Sequence, residues 1–134
     1  MDEKTYNTGN CKLRHVGAEM GRPMDQETYM QVIREHMKSS YLLSDDKINA
    51  ILPGFLATLE THLSTLEEKM ADGEPVPLSV AGHTIKGALL NLGLFELADT
   101  AYTIEQQSKT VDSNTDYPAL VTHLKKSIST ITGN

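Results

Sequence analysis

The chain has 134 residues, with 12 Lys and Arg against 18 Asp and Glu, so its formal net charge is −6. This length fits one domain of ordinary size and leaves no room for an ATP-binding kinase domain beside anything else. The acidic balance, with no basic run to offset it, argues against binding a nucleic-acid duplex.

No apolar stretch reaches the roughly 18 residues that a membrane span needs, and no apolar segment follows the charged N-terminus as in a signal peptide. The only cysteine, Cys11, has no partner for an internal disulfide, which fits a reducing compartment. We therefore expect a cytoplasmic protein.

Residues 1–24 contain three glycines, one proline and scattered charges without apolar periodicity, which predicts a poorly ordered leader. A helical bundle is expected over 25–134. Its first helix is predicted from Asp25 to about Ser39, because apolar residues recur there at helical spacing.

Ser44 and Asp45 are natural N-caps for the next helix. Pro53 and Gly54 then interrupt the pattern and leave two alternatives: two helices that meet at Pro53, or one longer helix kinked there. Beyond them an apolar stripe runs to the stop at Asp72-Gly73; it comprises Phe55, Leu56, Leu59, Leu63, Leu66 and Met70.

Residues 74–77 are interpreted as a linker before a helix at about 78–92. Further helices are predicted at 95–109 and, after a turn at 112–114, from Tyr117 to about Ile131. No segment alternates with period two. The fold class is therefore all-α: an antiparallel, up-down-up-down four-helix bundle with one or two additional N-terminal helices.

The helix at 78–92 has an unusual outer face. At 100° per residue, one arc centred on Ile85 faces the core and comprises Leu78, Ala81, Gly82, Ala88, Leu89 and Leu92. The opposite face should be charged, but it instead surrounds one histidine, His83, with Val80, Gly87 and Leu90, and with Ser79 and Lys86 beside them.

A glycine at position 87 destabilises the helix by roughly 1 kcal/mol relative to Ala. Its missing side chain leaves the His83 ring, one turn away, uncovered. Lys86, three residues after His83, argues against a metal, since zinc would require a further His, Cys or carboxylate at that spacing. A cation beside an imidazole favours a phosphoryl group, and a neutral imidazole nitrogen is a nucleophile by itself. The residues therefore predict a phosphorylatable histidine. An isolated histidine would more often have no role, and only the register with Lys86, Gly87 and Gly93 overrides that interpretation.

The run from Ala81 to Ala88, A-G-H-T-I-K-G-A, followed by Gly93 ten positions after His83, resembles the motif of histidine-containing phosphotransfer (HPt) domains: H-x-[LI]-K-G-[SA] with a later Gly. The resemblance covers about residues 45–132. Gly93 taken alone is better explained as a helix C-cap. In one departure, Gly82 stands directly before the histidine where many members have Ala, which could alter the packing under His83.

The resemblance implies that His83 accepts a phosphoryl group from a receiver-domain aspartate, or from a histidine kinase, and passes it to another receiver aspartate. Lys86 would stabilise the phosphoryl oxygens and Gly87 would give access. Val80, Ser79, Leu90 and Thr84 would contact the partner. Such carriers are not enzymes, have no ATP or metal site of their own and need no cofactor, since Mg²⁺ belongs to the partner receiver. We expect a monomer that presents one histidine.

Other classes of function stay open at this point. The bundle could bind a receiver or kinase domain without being phosphorylated, and Val80 and Leu90 could turn inward against the N-terminal helix. An enzyme is disfavoured because no known catalytic motif is present. A metal-binding or haem-binding bundle would need a second ligand facing the core, whereas His83 is predicted to face outward. No role is predicted for the remaining histidines, His15, His36, His62 and His123.

Overall fold

The computed structural model describes residues 24–133. Over this range the chain is all-α, as predicted, and forms five helices: α1 (Gln26–Tyr41), α2 (Asp45–Asp72), α3 (Pro75–Asn91), α4 (Phe95–Lys109) and α5 (Tyr117–Thr132). None of these helices combines the length and apolarity needed to cross a bilayer. The predicted leader lies outside the described residues, apart from Met24.

Helix α1 begins where its sequence provides a cap. The Asp25 carboxylate accepts a hydrogen bond from the Thr28 backbone N–H at 2.9 Å, which satisfies one of the free donors of the first turn. Tyr29, Ile33 and Met37 are buried along one face. The predicted helix is confirmed and extends two residues further than expected.

Helix α2 is a single helix that continues through Pro53 from Asp45 to Asp72, so two separate helices meeting at Pro53 are excluded. Ser44 is the N-cap, as predicted, and its hydroxyl accepts from the Lys47 N–H. The helix ends at Gly73, whose φ of 74° lies in the left-handed region that favours glycine. Phe55 departs from the predicted apolar stripe and is 37% exposed, since the core-facing positions in this part of the helix are Leu52, Leu56 and Leu59.

Helix α3 starts at Pro75, three residues before the predicted start, so the interpretation of residues 75–77 as a linker was wrong. A proline is favourable in the first helical turn because its missing N–H would have no intrahelical partner there and its fixed φ already suits a helix. The two prolines therefore open the helix instead of separating it from α2.

Helices α2 to α5 close into a ring in which each helix packs against two neighbours: α2 against α3, α3 against α4, α4 against α5, and α5 against α2. Short loops join α2 to α3 and α3 to α4, so these neighbours run antiparallel. Helix α1 packs outside the ring against α5 and α2. This arrangement confirms the predicted four-helix bundle with an additional N-terminal helix.

Candidate functional site

Helix α3 presents one face to the core and the opposite face to solvent. Ile85 and Leu89 are fully buried, and Leu78 and Ala81 nearly so. On the other side the His83 side chain is 67% exposed. The helical spacing thus predicted correctly which way the histidine points.

Gly82 allows α3 to approach α4 closely. A Cβ atom at this position would lie 3.1 Å from the Glu105 backbone nitrogen and 3.3 Å from the Ala101 carbonyl oxygen, closer than ordinary van der Waals contact. The departure from the usual Ala before the histidine therefore has a structural counterpart. It brings the backbone of α4 at Glu105 directly beside the turn that carries His83.

Glu105 contacts the His83 ring from the α4 side. Its Oε2 lies 3.1 Å from His83 Nδ1, and its side chain is only 10% exposed. The Ser79 hydroxyl donates a hydrogen bond to the Glu105 carbonyl oxygen at 3.0 Å, which ties the same residue to α3 a second time. Three positions on α3, Ser79, Gly82 and His83, thus converge on one residue of α4.

Lys86 lies on the other oxygen of the same carboxylate. Its Nζ is 2.9 Å from Glu105 Oε1, and its side chain is 19% exposed. Oε1 is buried and has no well-directed hydrogen bond, so this contact is a charge pair. Burial opposes ionisation of Glu105, but Lys86 and then His83 outweigh it and hold its pKa below the usual value. The carboxylate is therefore ionised near neutral pH.

The contact with Glu105 fixes the tautomer of the neutral His83 ring. An ionised carboxylate can only accept hydrogen bonds, so Nδ1 must be the donor to Glu105. In the neutral imidazole the other nitrogen, Nε2, then carries the free lone pair. Glu105 thus selects the ring tautomer whose nucleophilic nitrogen is Nε2.

The surroundings of His83 on α3 are open. A Cβ atom built at Gly87 would meet nothing within 4 Å. Val80 is 60% exposed, and Thr84 is exposed with its hydroxyl donating to the Val80 carbonyl oxygen at 3.0 Å. Leu90 is half-buried and packs against the core.

The prediction for Ser79 was wrong. It was expected on the exposed face beside His83, but it is 8% exposed and its hydroxyl is engaged with α4. At 100° per residue, position 79 lies at the boundary between the buried and exposed faces of α3. It is buried because α4 packs closely there. Ser79 therefore does not belong to an exposed docking surface.

Gly93 ends the α3 segment in a left-handed conformation, with φ of 78°. Its N–H bonds to the Leu90 carbonyl oxygen at 3.0 Å, and the Leu94 N–H bonds to the Leu89 carbonyl oxygen at 3.0 Å. The prediction that Gly93 ends the helix is confirmed, but the C-cap residue is Leu92 and Gly93 is the left-handed residue after it. Gly93 also lies under the His36 ring of α1, so a Cβ atom would meet His36 Cγ at 2.5 Å.

Two residues of α4 beside the site were not predicted from the sequence to take part in it. No role was predicted for Glu105, yet it stands between the buried Ile104 and Ser108 on the core-facing stripe of the helix. A buried carboxylate needs a cationic or hydrogen-bond-donating partner, so a Glu at a core-facing position of the helix could have indicated from the sequence that one lies nearby. Tyr102, whose ring centroid lies 4.8 Å from Lys86 Nζ, gave no such signal.

Within residues 24–133, no three His, Cys, Asp or Glu side chains cluster in a way that could hold a metal ion. In comparisons with known proteins, the family model described as Hpt domain matches residues 50–132. No curated protein and no solved structure matched the chain.

Proposed function

The chain belongs to the Hpt domain family, whose members carry phosphoryl groups in two-component signalling and contact receiver domains and histidine kinases, and we propose that His83 is its phosphorylated residue. The observation that carries the proposal is the 3.1 Å contact between His83 Nδ1 and Glu105 Oε2 beneath a ring that is otherwise exposed. In the neutral ring that contact places the proton on Nδ1 and leaves the lone pair on Nε2. The chain then serves as a carrier between partners instead of as an enzyme.

The transfer needs no base from this chain. The Nε2 lone pair attacks the phosphorus of a receiver aspartyl phosphate and forms the N–P bond, while the P–O bond breaks and its electron pair leaves with the aspartate carboxylate. The proton stays on Nδ1, so the ring becomes a cation. The Glu105 carboxylate, already hydrogen-bonded to Nδ1, stabilises that developing charge. In the reverse direction the same ring donates the phosphoryl group to a second receiver aspartate.

Lys86 and Gly87 serve the incoming group in different ways. The Lys86 ammonium is a point charge that can turn from Glu105 towards the phosphoryl oxygens, because its flexible stem has three rotatable donors at the end. Gly87 leaves the space one turn after His83 empty, so the partner can bring its phosphoaspartate against Nε2. Any Mg²⁺ and the acceptor carboxylate belong to the partner receiver.

The partner is proposed to dock on the α2–α3 side of His83. Two adjoining shallow grooves between these helices share His62 and Thr84, and one of them includes Val80. Leu90, which was also expected to contact the partner, is half-buried and lines neither groove. Thr84, the residue after His83, lines both grooves, so this largely apolar face lies beside the proposed phosphorylation site.

The proposal is tested by incubating the chain with a panel of phosphorylated receiver domains and following the label. We expect an acid-labile, base-stable phosphoryl group on the native chain and none on His83→Gln. His123→Gln, which removes another exposed histidine, is the matched control and should be labelled like the native chain.

Two results would contradict phosphotransfer at His83. A label that survives His83→Gln would place the phosphoryl group elsewhere. Binding of a receiver domain with no label on the native chain under any condition of the panel would instead favour an interaction module that is not phosphorylated.

A further inference from the structure

The aromatic ring of Tyr102 lies over the ammonium group of Lys86. Nζ is 4.8 Å from the ring centroid, within the range in which a cation is attracted by the face of the ring. Tyr102 stands one helical turn before Glu105 on α4. The ammonium therefore has two partners on the same helix, a carboxylate and a ring face.

Tyr102 is not needed as a core residue. It is 36% exposed, whereas its neighbours Ala101 and Ile104 are fully buried and provide the α4 part of the core. Its position beside the site therefore calls for an explanation other than packing. The contact with Lys86 is the one that the structure offers.

The proposed transfer makes a particular demand on Lys86. Before transfer its charge is paired with Glu105 Oε1 at 2.9 Å, and during transfer it must approach the phosphoryl oxygens at His83. A lysine side chain has several rotatable bonds, so an ammonium released from the carboxylate would become solvated and mobile. A ring face attracts the cation without fixed hydrogen-bond directions, so it can hold the ammonium while the anionic partner changes.

We propose that Tyr102 is a positioning residue that keeps the Lys86 ammonium beside His83 while it moves between Glu105 and the phosphoryl group. This inference rests on the proposed phosphotransfer function. The ring neither gains nor loses a proton in the transfer. Its aromatic face is required and its hydroxyl is not.

The test compares Tyr102→Leu, which keeps apolar bulk without an aromatic face, with Tyr102→Phe, which keeps the face. A cation–π contact of usual strength corresponds to about a two- to fivefold change in rate. We expect the rate of transfer from a phosphorylated receiver domain to fall by that factor in Tyr102→Leu and to stay near native in Tyr102→Phe. In a Lys86→Met background, Tyr102→Leu should have no further effect.

A spectroscopic readout in the unphosphorylated chain is independent of transfer. The Lys86 Cε protons should show an upfield ring-current shift in the native chain and Tyr102→Phe, and the shift should disappear in Tyr102→Leu. Thermal unfolding identifies any variant that fails to fold, and the spectra of the native chain and of Tyr102→Phe then still test the contact.

Each result has a definite consequence. A labelled native chain whose rate is unchanged in Tyr102→Leu, or changed equally with and without Lys86, would overturn the role of Tyr102 and leave phosphotransfer standing. Absence of the ring-current shift in the native chain would overturn the role as well. A native chain that takes no phosphoryl group would overturn the proposed function, and this inference with it.

Discussion

Substituting Gly93 by alanine should destabilise the fold in two ways, through backbone strain and through a clash with His36, and a control at Gly73 separates the two effects. The residue adopts a left-handed conformation with φ of 78°, and its Cα faces the His36 ring. Gly73 is a matched control because its φ is 74° but a Cβ atom there would meet nothing within 4 Å. Both substitutions incur the conformational cost, and only Gly93→Ala also displaces a side chain.

The magnitudes follow from the geometry. A non-glycine residue in the left-handed region costs about 1–2 kcal/mol, which is the full effect expected for Gly73→Ala. At Gly93 the added Cβ would lie 2.5 Å from His36 Cγ and 2.6 Å from His36 Cβ, so the ring must move by about 1 Å to reach ordinary contact. That movement disturbs the edge-on contacts of His36 with Tyr41 and Phe95, each worth about 0.5–1.5 kcal/mol.

Gly93→Ala should therefore lower the free energy of unfolding by about 2–5 kcal/mol, a large part of the roughly 5–15 kcal/mol of a typical domain. Urea denaturation followed by circular dichroism measures both variants. The same pair is repeated in a His36→Gly background, which removes both His36 Cγ and His36 Cβ, and there the cost of Gly93→Ala should fall to that of Gly73→Ala.

Equal losses for Gly93→Ala and Gly73→Ala in the native background would refute the reasoning, because they would show that the His36 ring gives way without cost. A loss at Gly93 that stays unchanged when His36 is removed would refute it too. In that case the attachment of α1 to the end of α3 would not depend on this contact.

Three further predictions concern the site and its surroundings. Glu105→Gln should slow receiver-dependent labelling of His83 by roughly tenfold, because a charge-assisted hydrogen bond to the ring is lost. The pKa of Glu105 is held below its usual 4.5, so the ionised carboxylate stabilises the fold above pH 4.5, and this stabilisation is lost as the pH falls through the lowered pKa. The free energy of unfolding should therefore fall less steeply with acidification in Glu105→Gln than in the native chain. Gly87→Ala should raise the free energy of unfolding by up to about 1 kcal/mol, since a Cβ atom meets nothing there, whereas Gly87→Phe should unfold like the native chain and take up no label. Burial lowers the pKa of His36 from 6.5, so the unfolded chain binds the proton more readily and the free energy of unfolding should decrease as the pH falls below 6.5. The urea midpoints at pH 7.5 and pH 5.5 should therefore differ less in His36→Phe than in the native chain. An unchanged difference would contradict this.

Most of the fold could be predicted from the order of residues along the chain. The stripe at Tyr29, Ile33 and Met37 predicted α1, and the stop at Gly73 predicted the end of α2, because both depend on helical spacing and on local cap chemistry. Pro53 and Pro75 were harder. A proline can begin a helix, interrupt it or be tolerated within it, and packing of the flanking turns decides between these outcomes.

The sequence by itself determined that His83 faces outward, that Lys86 and Gly87 stand one turn beyond it, and that Gly93 closes the helix. All of these depend on positions within a single helix, where the geometry repeats every 3.6 residues. Only the tertiary structure decided that Glu105 and Tyr102 of α4 meet His83 and Lys86, and that Ser79 is buried. These contacts depend on how closely and in what register two helices pack, which here follows from the missing side chain of Gly82 against the α4 backbone and cannot be obtained from the spacing within either helix.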